Sequence, residues 1–405
     1  MRNGLVISSK ALLNATVVFS AIALFIFTAT SDARDYTTPG RGEIFDLYAL
    51  AALSGGAVQF YGSYFQLNGN VTISPGDTLY IAGGQLLLAA DDPTTTGYCI
   101  SIAGRLLAYG YPHAYCMLSS HTNLPGRWYG IKLLPSSTRS IMSYCAISNA
   151  VAGISCYGAS PGIDHCLISQ CKYAGIYCYG AAEPIMSDNT ILSSHSGAGI
   201  VLGRYSKAVL SNNTITDNLA GVVLADPWPA TSVANNRIAF NAEIGLYAAG
   251  YDESSIRTNQ IEWNNAGMVI AGDSVSTLDG NTVSGNTLLG IATAGNASPR
   301  VRNSIITENY TTIGGFVVFD SSRPDLGFVE YPGRNTFHDN LWYDLVNFTT
   351  NNLLAFGNSW TAPHDIDAVI YDDEEDIGDA DGNGFISGIV HYEATAAESC
   401  WQLYR

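Results

Sequence analysis

The stretch from Val209 to Gly295 reads VLSNNTITDNLAGVVLAD (209–226), SVANNRIAFNAEIGLYAAG (232–250), SIRTNQIEWNNAGMVIAG (255–272) and TLDGNTVSGNTLLGIATAG (277–295). Four segments in one register, about 23 residues apart, mark a repeat, and a fixed period of that length means a solenoid or array. Working outward, an apolar anchor recurs at Ile147, Ile168, Ile191, Ile215, Ile238, Ile261, Val283 and Ile306, in steps of 21 to 24 residues. A glycine follows each of the first seven anchors, at Gly153, Gly175, Gly199, Gly221, Gly245, Gly267 and Gly290.

After that glycine the chain alternates. Ile154, Ile176, Ile200, Val222, Leu246, Met268 and Ile291 come next, and two residues further stand Cys156, Cys178, Leu202, Leu224, Ala248, Ile270 and Thr293. Period-two alternation over four or five residues predicts a short strand with one face buried. A second glycine ends the strand at Gly158, Gly180, Gly250, Gly272 and Gly295, replaced by Arg204 and Asp226, where a turn of positive φ favours glycine.

Two residues before the anchor stand Asn189, Asn213, Asn236, Asn259 and Asn281. In stacked coils about 4.8 Å apart, their amides are expected to form an internal hydrogen-bonded ladder, a structural role. The predicted architecture is all-β: a single-stranded right-handed parallel β-helix of roughly 23-residue coils with a C-terminal cap. It divides into a signal peptide (1–33), the β-helix (34–355) and a cap with an acidic, calcium-loop-like tail (356–405). Trp342 and Trp360 are expected to help cover the open end, which would otherwise present strand edges.

The 405 residues are 47% hydrophobic and only 13% charged, with a net charge of −17. That acidity argues against nucleic acid and polyanionic glycans as partners unless a divalent cation bridges them, and otherwise serves solubility. Arg2 and Lys10, the apolar run Ala11 to Thr28 and the small residues up to Ala33 have the layout of an export signal. An uncleaved membrane anchor is the alternative, and the only route to membrane association. The chain is therefore expected to be secreted, periplasmic or at the cell surface.

Of eight cysteines, Cys156 and Cys178 fall at one core register and Cys145 and Cys166 at the ladder register, as small buried fillers. A bridge between stacked coils would be strained. Cys171 falls in a turn, and Cys99, Cys116 and Cys400 have no nameable partner.

Upstream, Pro75, Gly76 and Asp77 are followed by Gly104, Arg105, Leu106, Ala108 and Gly110, and then by Trp128, Gly130 and Ile131. This pattern resembles the opening coils of bacterial right-handed β-helix proteins with parallel β-helix (PbH1) repeats, including periplasmic copper-processing proteins with a NosD-type domain. The resemblance covers about residues 65–372 and implies the pectin-lyase-like fold far more specifically than any activity. With five methionines, seven scattered histidines and no paired-histidine motif, copper handling is unsupported.

Asp379, Asp381 and Asn383, with Gly384 next, match the first half of a Ca²⁺ loop, but Val390 stands where a bidentate glutamate is needed. A solvated acidic turn is the competing reading. Tyr157, Tyr177 and Tyr179, on adjacent coils, form a candidate carbohydrate-binding surface, the plainer alternative being cross-coil stacking that stabilises the sheet. Asp217, Asp226, Glu243, Asp252, Glu253, Glu262, Asp273 and Glu308 spread over successive coils as surface charges, without a paired-carboxylate signature. No nucleotide-binding motif is present, so no nucleotide cofactor is expected. These features favour a scaffold that binds a glycan or protein of the envelope or extracellular space without catalysis; the alternative is a polysaccharide lyase or glycosidase. Oligomeric state and catalytic residues are not legible.

Overall fold

The computed structural model describes residues 34–90, 97–194, 196–310, 313–362, 365–372 and 388–392. The signal-like segment, the Asp379, Asp381 and Asn383 loop, and Cys400 lie outside these residues. The described chain winds into one parallel β-solenoid whose walls are sheets of 14, 13 and 11 strands.

One coil serves as template. Val209–Ser211 lies in the 11-stranded sheet, Thr214–Thr216 in the 13-stranded sheet and Ala220–Ala225 in the 14-stranded sheet. Each strand pairs in parallel with its counterpart about 23 residues on, so Ile215 registers with Ile238 and Val222 with Leu246. The anchors Ile147 to Ile306 and the residues after the first glycines are fully buried and fill the inside of the coil.

Two tight corners separate the three strands, each made by a single left-handed residue. Asn212 (φ 56°) turns the chain into the second strand and Asp217 (φ 56°) turns it out again. The same corners fall on Thr258, Phe240 and Trp263, side chains that rarely accept positive φ, at a cost on the order of 1–3 kcal/mol each. The backbone gains from this geometry: the N–H groups of Thr258 and Trp263 donate to Asp279 O and Ser284 O of the next coil, at 3.0 and 3.1 Å. Corner residues thus keep the intercoil hydrogen bonding continuous.

Buried asparagines line the inside of both corners. Asn213 Oδ1 accepts from the N–H and Nδ2 of Asn189, while Asn213 Nδ2 donates to Met186 O and to Asn236 Oδ1. The column runs on through Asn259, Asn281, Ser304, Asn335 and Asn358. A second column, which the sequence reading did not identify, lies three residues after each anchor: Asn218, Asn241, Asn264, Asn286 and Asn309 bond in the same way. Toward the N-terminal end thiols take over. Cys166, Cys145 and Cys116 continue the first column, their Sγ atoms facing Met142 O, Ala108 O and Ile81 O, the places that asparagine Nδ2 groups occupy further on. Cys171 stands at the second register. All seven described cysteines are free thiols.

From Ala198–Leu202 to Leu345–Asn347 the strands of the 14-stranded sheet are buried on both faces, not one. Ala198–Leu202, Ala266–Ile270 and Leu289–Thr293 have no exposed or half-exposed residue. Outward positions register from Thr72 through Ser101, Lys132 and Ser155 to Tyr177, then Val201 and Val223, so this column passes from polar to apolar along the stack. Strands covered on both faces read as nearly continuous apolar runs, which AGVVLA (220–225) is.

At the N-terminal end a helix, α1 (Leu47–Leu53), joins the first strands of two sheets. Asp46 caps it by accepting from Ala49 N–H at 2.7 Å, and Leu47 and Leu50 bury beside Phe45 and Phe65. The following strands, Val58–Phe60 and Phe65–Leu67, pair antiparallel, unlike the other strand pairs among the described residues. Asp77 is fully buried beneath this end, its carboxylate accepting from the N–H groups of Gly40, Gly42 and Glu43. At the other end strands continue through Leu345–Asn347 and Ile370–Tyr371. Trp360 is buried and stacks on Phe337 at 4.7 Å, whereas Trp342 is 60% exposed.

Candidate functional site

The third corner, between the 14- and 11-stranded sheets, is longer than the others and varies from coil to coil. Coil-to-coil variation on a rigid frame is where function collects. Tyr157 and Tyr179 stand at the end of Ala152–Tyr157 and Ala174–Tyr179, in register with each other, with Tyr177 two residues back. The Tyr157 and Tyr177 rings meet edge to face at 6.1 Å, and the Tyr177 and Tyr179 rings lie parallel at 6.5 Å. Ring contacts therefore run through Tyr177 rather than directly between the two registered tyrosines. Burial pushes the Tyr157 and Tyr177 phenols above the usual tyrosine range, and the Tyr157 and Tyr179 hydroxyls add to the effect at Tyr177. These phenols stay protonated at neutral pH and can both donate and accept.

The next coil offers Gly203 beside this cluster. A Cβ there would lie 3.2 Å from Tyr179 Cδ2, so the absence of a side chain lets the Tyr179 ring lie close to the strand end. Beyond it the corner carries one exposed aromatic per coil: Tyr179, Tyr205, Trp228 and Tyr251, at 40, 50, 51 and 64% exposure. Tyr205 takes a left-handed conformation (φ 64°) in place of the glycine that turns other coils, and its N–H donates to Asp226 O at 3.1 Å. Its ring meets Trp228 at 5.8 Å and an interplanar angle of 63°, with the Arg204 guanidinium 4.9 Å above it. Trp228 N–H donates to Ser206 O at 2.7 Å.

Tyr251 is fixed by Asp226, whose Oδ1 accepts its N–H at 3.0 Å. Gly250 permits this, because a Cβ there would lie 1.7 Å from the same oxygen. Sequence reading missed Tyr205, Trp228 and Tyr251. Tyr205 and Tyr251 stand six residues after their strand glycines and Trp228 seven, while Asp273 and Asn296 hold the six-residue register in the following coils, so the aromatic register is short and broken.

The eight acidic residues do not converge on one site. Asp217 and Glu308 make tight corners, Glu262 pairs with Arg237 at 2.8 Å, and Asp226 holds Tyr251. Asp273 accepts from Asn296 Nδ2 at 2.9 Å. Asp252, expected on the surface, is fully buried; its carboxylate accepts from Ser254 N–H and Oγ and from Ser276 Oγ. Hydroxyls and an N–H satisfy it, so it braces the corner from inside. Among the described residues no group of three or more His, Cys, Asp or Glu is placed to hold a metal ion. Nor does any described helix have the length and apolarity to cross a membrane.

A family model described as the right handed beta helix region matches residues 111–227 and 229–342, more than half of the chain. Several solved structures are similar. The periplasmic alginate epimerase AlgG is 13% identical over 78% of this chain and 80% of that chain, with a TM-score of 0.47. The DFA-IIIase from Arthrobacter chlorophenolicus A6 in complex with GF2 is 10% identical, over 90% of this chain and 100% of that one, with a TM-score of 0.48. An alginate lyase from Paenibacillus sp. str. FPU-7 is 14% identical over 72% and 99% of the two chains, with a TM-score of 0.43.

Proposed function

The chain belongs to the right-handed β-helix family, and from that premise we propose that it is an exported scaffold that binds a neutral glycan chain along its aromatic corner without transforming it. The observation that carries this reading is the row Tyr179, Tyr205, Trp228 and Tyr251, one exposed aromatic on each of four successive coils. Coils stack about 4.8 Å apart, so the row extends over roughly 14 Å, with aromatic rings in reach of the apolar faces of successive sugar rings. Tyr157 and Tyr177 extend it at one end with hydroxyls held neutral. The net charge of −17 disfavours acidic polysaccharides and leaves neutral ones.

Of the carboxylates at this corner, Asp226 is committed to Tyr251 N–H, Asp252 is sealed inside, Glu183 faces Lys207 at 3.7 Å and Asp273 accepts from Asn296, which leaves Glu253 as a surface charge in this reading. The test is affinity electrophoresis and a reducing-end assay on a panel of neutral and acidic polysaccharides. It is run with and without Ca²⁺, because the Asp379, Asp381 and Asn383 loop would bring calcium into the assembly. Retention by a neutral glycan, weakened roughly tenfold (about 1.4 kcal/mol) in Trp228→Ala, supports the proposal. New reducing ends or unsaturated products would replace it with a lyase or hydrolase. Undiminished retention in a Tyr205→Ala, Trp228→Ala double variant would move the site elsewhere.

A further inference from the structure

The corner leading from the 13-stranded into the 14-stranded sheet carries aromatic residues of its own. Each coil places one left-handed residue there, two positions after its anchor, and in neighbouring coils Ser193, Asp217, Gly285, Glu308 and Asp339 hold that place, all polar or glycine. Phe240 and Trp263 break the pattern. Both take the same positive φ, 56° and 57°, and both remain 50 and 45% exposed, so burial repays little of the strain. Strain kept at an exposed side chain points to a use outside the fold.

The two rings differ in what lies over them. The Arg237 guanidinium stands 5.5 Å from the centre of the Phe240 ring and pairs with Glu262 at 2.8 Å, so this ring already holds a cation, balanced by a carboxylate of the next coil. In the coil of Trp263, Gln260 takes the place of Arg237. Between Ser255 and Tyr310 the cationic side chains are Arg257, Arg300 and Arg302, all on the 11-stranded sheet and none at this corner.

The surroundings of Trp263 are aromatic and acidic. Gly285 follows it in the corner column, and a Cβ there would lie 2.8 Å from indole Cδ2 and Cε3, so the indole occupies the space a side chain would take. The Tyr310 ring stands 6.5 Å from the indole, centroid to centroid, and 28° from parallel, a wider spacing than the 4.7 Å of the closed stack of Phe337 on Trp360. Glu308, the next corner residue, is exposed, and its carboxylate has no hydrogen bond or ion pair among the described residues. Asp339 after it faces His338 at 2.9 Å.

We propose that Trp263, Tyr310 and Glu308 form a binding site for a small organic cation, an ammonium group that carries methyl or methylene substituents. Ring faces attract such a group electrostatically and pack against its methyl groups, while the carboxylate supplies the counter-charge. The net charge of −17 draws cations to this surface. The site precedes the strand Ala266–Ile270, whereas the proposed glycan row lies at the corner after the strands of that sheet, so neither depends on the other.

The full chain, isotope-labelled at its indole nitrogens, tests this by titration with choline and with the uncharged analogue in which a tert-butyl group replaces trimethylammonium. Trp263→Asn, which restores a residue that accepts positive φ, identifies the Trp263 signal by its absence. That signal is expected to shift saturably with choline, with the uncharged analogue roughly tenfold weaker and Glu308→Gln weakening choline about threefold. Equal affinities for the two compounds, no saturable shift, or unchanged choline affinity in Glu308→Gln would overturn the proposal. A shift with methyl glucoside alone would overturn it too and give the corner to a sugar. Sedimentation with phosphatidylcholine vesicles separates the sources of the group: capture that free choline reverses assigns a lipid headgroup, and no capture assigns a cation in solution. Glycan retention, read at Trp228, is untouched by any of these results.

Discussion

Asn213 gives two hydrogen bonds, from its N–H and its Nδ2, to one oxygen, Oδ1 of Asn236 on the next coil, both at 2.9 Å. Asn236 repeats the arrangement with Asn259 and also donates to Leu210 O and Ala234 O. One side chain thus bonds five groups. Asn236→Leu takes the acceptor from the Asn213 N–H and this donor from Leu210 O, and at roughly 1–3 kcal/mol per stranded group it should lower the urea midpoint. An unchanged midpoint would mean that water replaces the amide.

Gly221 is required for spacing rather than for backbone angle, since its φ is not positive. A Cβ there would lie 2.4 Å from Gly245 O and 2.5 Å from Ile238 Cγ2. Gly221→Ala should therefore destabilise by about 1–3 kcal/mol through overpacking. Gly162→Ala, with nothing within 4 Å, should be nearly neutral. Equal melting temperatures for the two variants would count against close coil approach as the reason for this glycine.

Burial pushes the Cys171 thiol from 9.0 up to about 12, and Cys178 is raised as well by its hydrogen bond with Cys156 and by burial. Thiolate is the reactive form. An aromatic disulfide reagent should leave both thiols unmodified in the folded protein at pH 8 and label them on unfolding in denaturant. Mass spectrometry that finds Cys171 modified without denaturant would show that the coil opens locally.

Alkaline pH should weaken the fold through the same groups and through Tyr157 and Tyr177. Their folded pKa values lie above the ordinary tyrosine value of 10.0. The stability they contribute is fully present below pH 10 and is lost as pH rises through the folded values, because the unfolded chain ionises first. The difference in tyrosinate absorbance between the native protein and Tyr177→Phe should rise later than that of free tyrosine. A difference spectrum centred at pH 10 would show that Tyr177 is open to water.

The solenoid was legible because stacking repeats one environment: Ile215, Ile238 and Ile261 occupy the same buried position, so the chain spells it out at a fixed interval. Asn218 and Asn241 recur just as regularly three residues after the anchor, but Ala150, Cys171 and Ser194 hold that register earlier in the stack and obscure it. Helix α1 occurs once, and seven residues give too little periodicity to stand out from turns. The aromatic corner was hidden for a different reason: Tyr205 and Trp228 meet because their coils are adjacent, while they stand six and seven residues after their strand glycines. Outward valines such as Val223 and Val269 were hidden by the inward ones beside them, since a strand covered on both faces loses the alternation that reveals a strand.

Because each coil touches only the coil above and the coil below, the aromatic corner behaves as a ruler whose divisions are set by backbone pairing and not by the side chains mounted on it. Duplicating one coil between Asn236 and Asn259 would renew both asparagine columns at the splice and lengthen the scale by one division of about 4.8 Å. Loss of a coil would shorten it by the same amount. Reach along a polymer can therefore change in whole steps while the stability of every division stays nearly constant, which gives such a chain a route to new ligand lengths that requires no new interior.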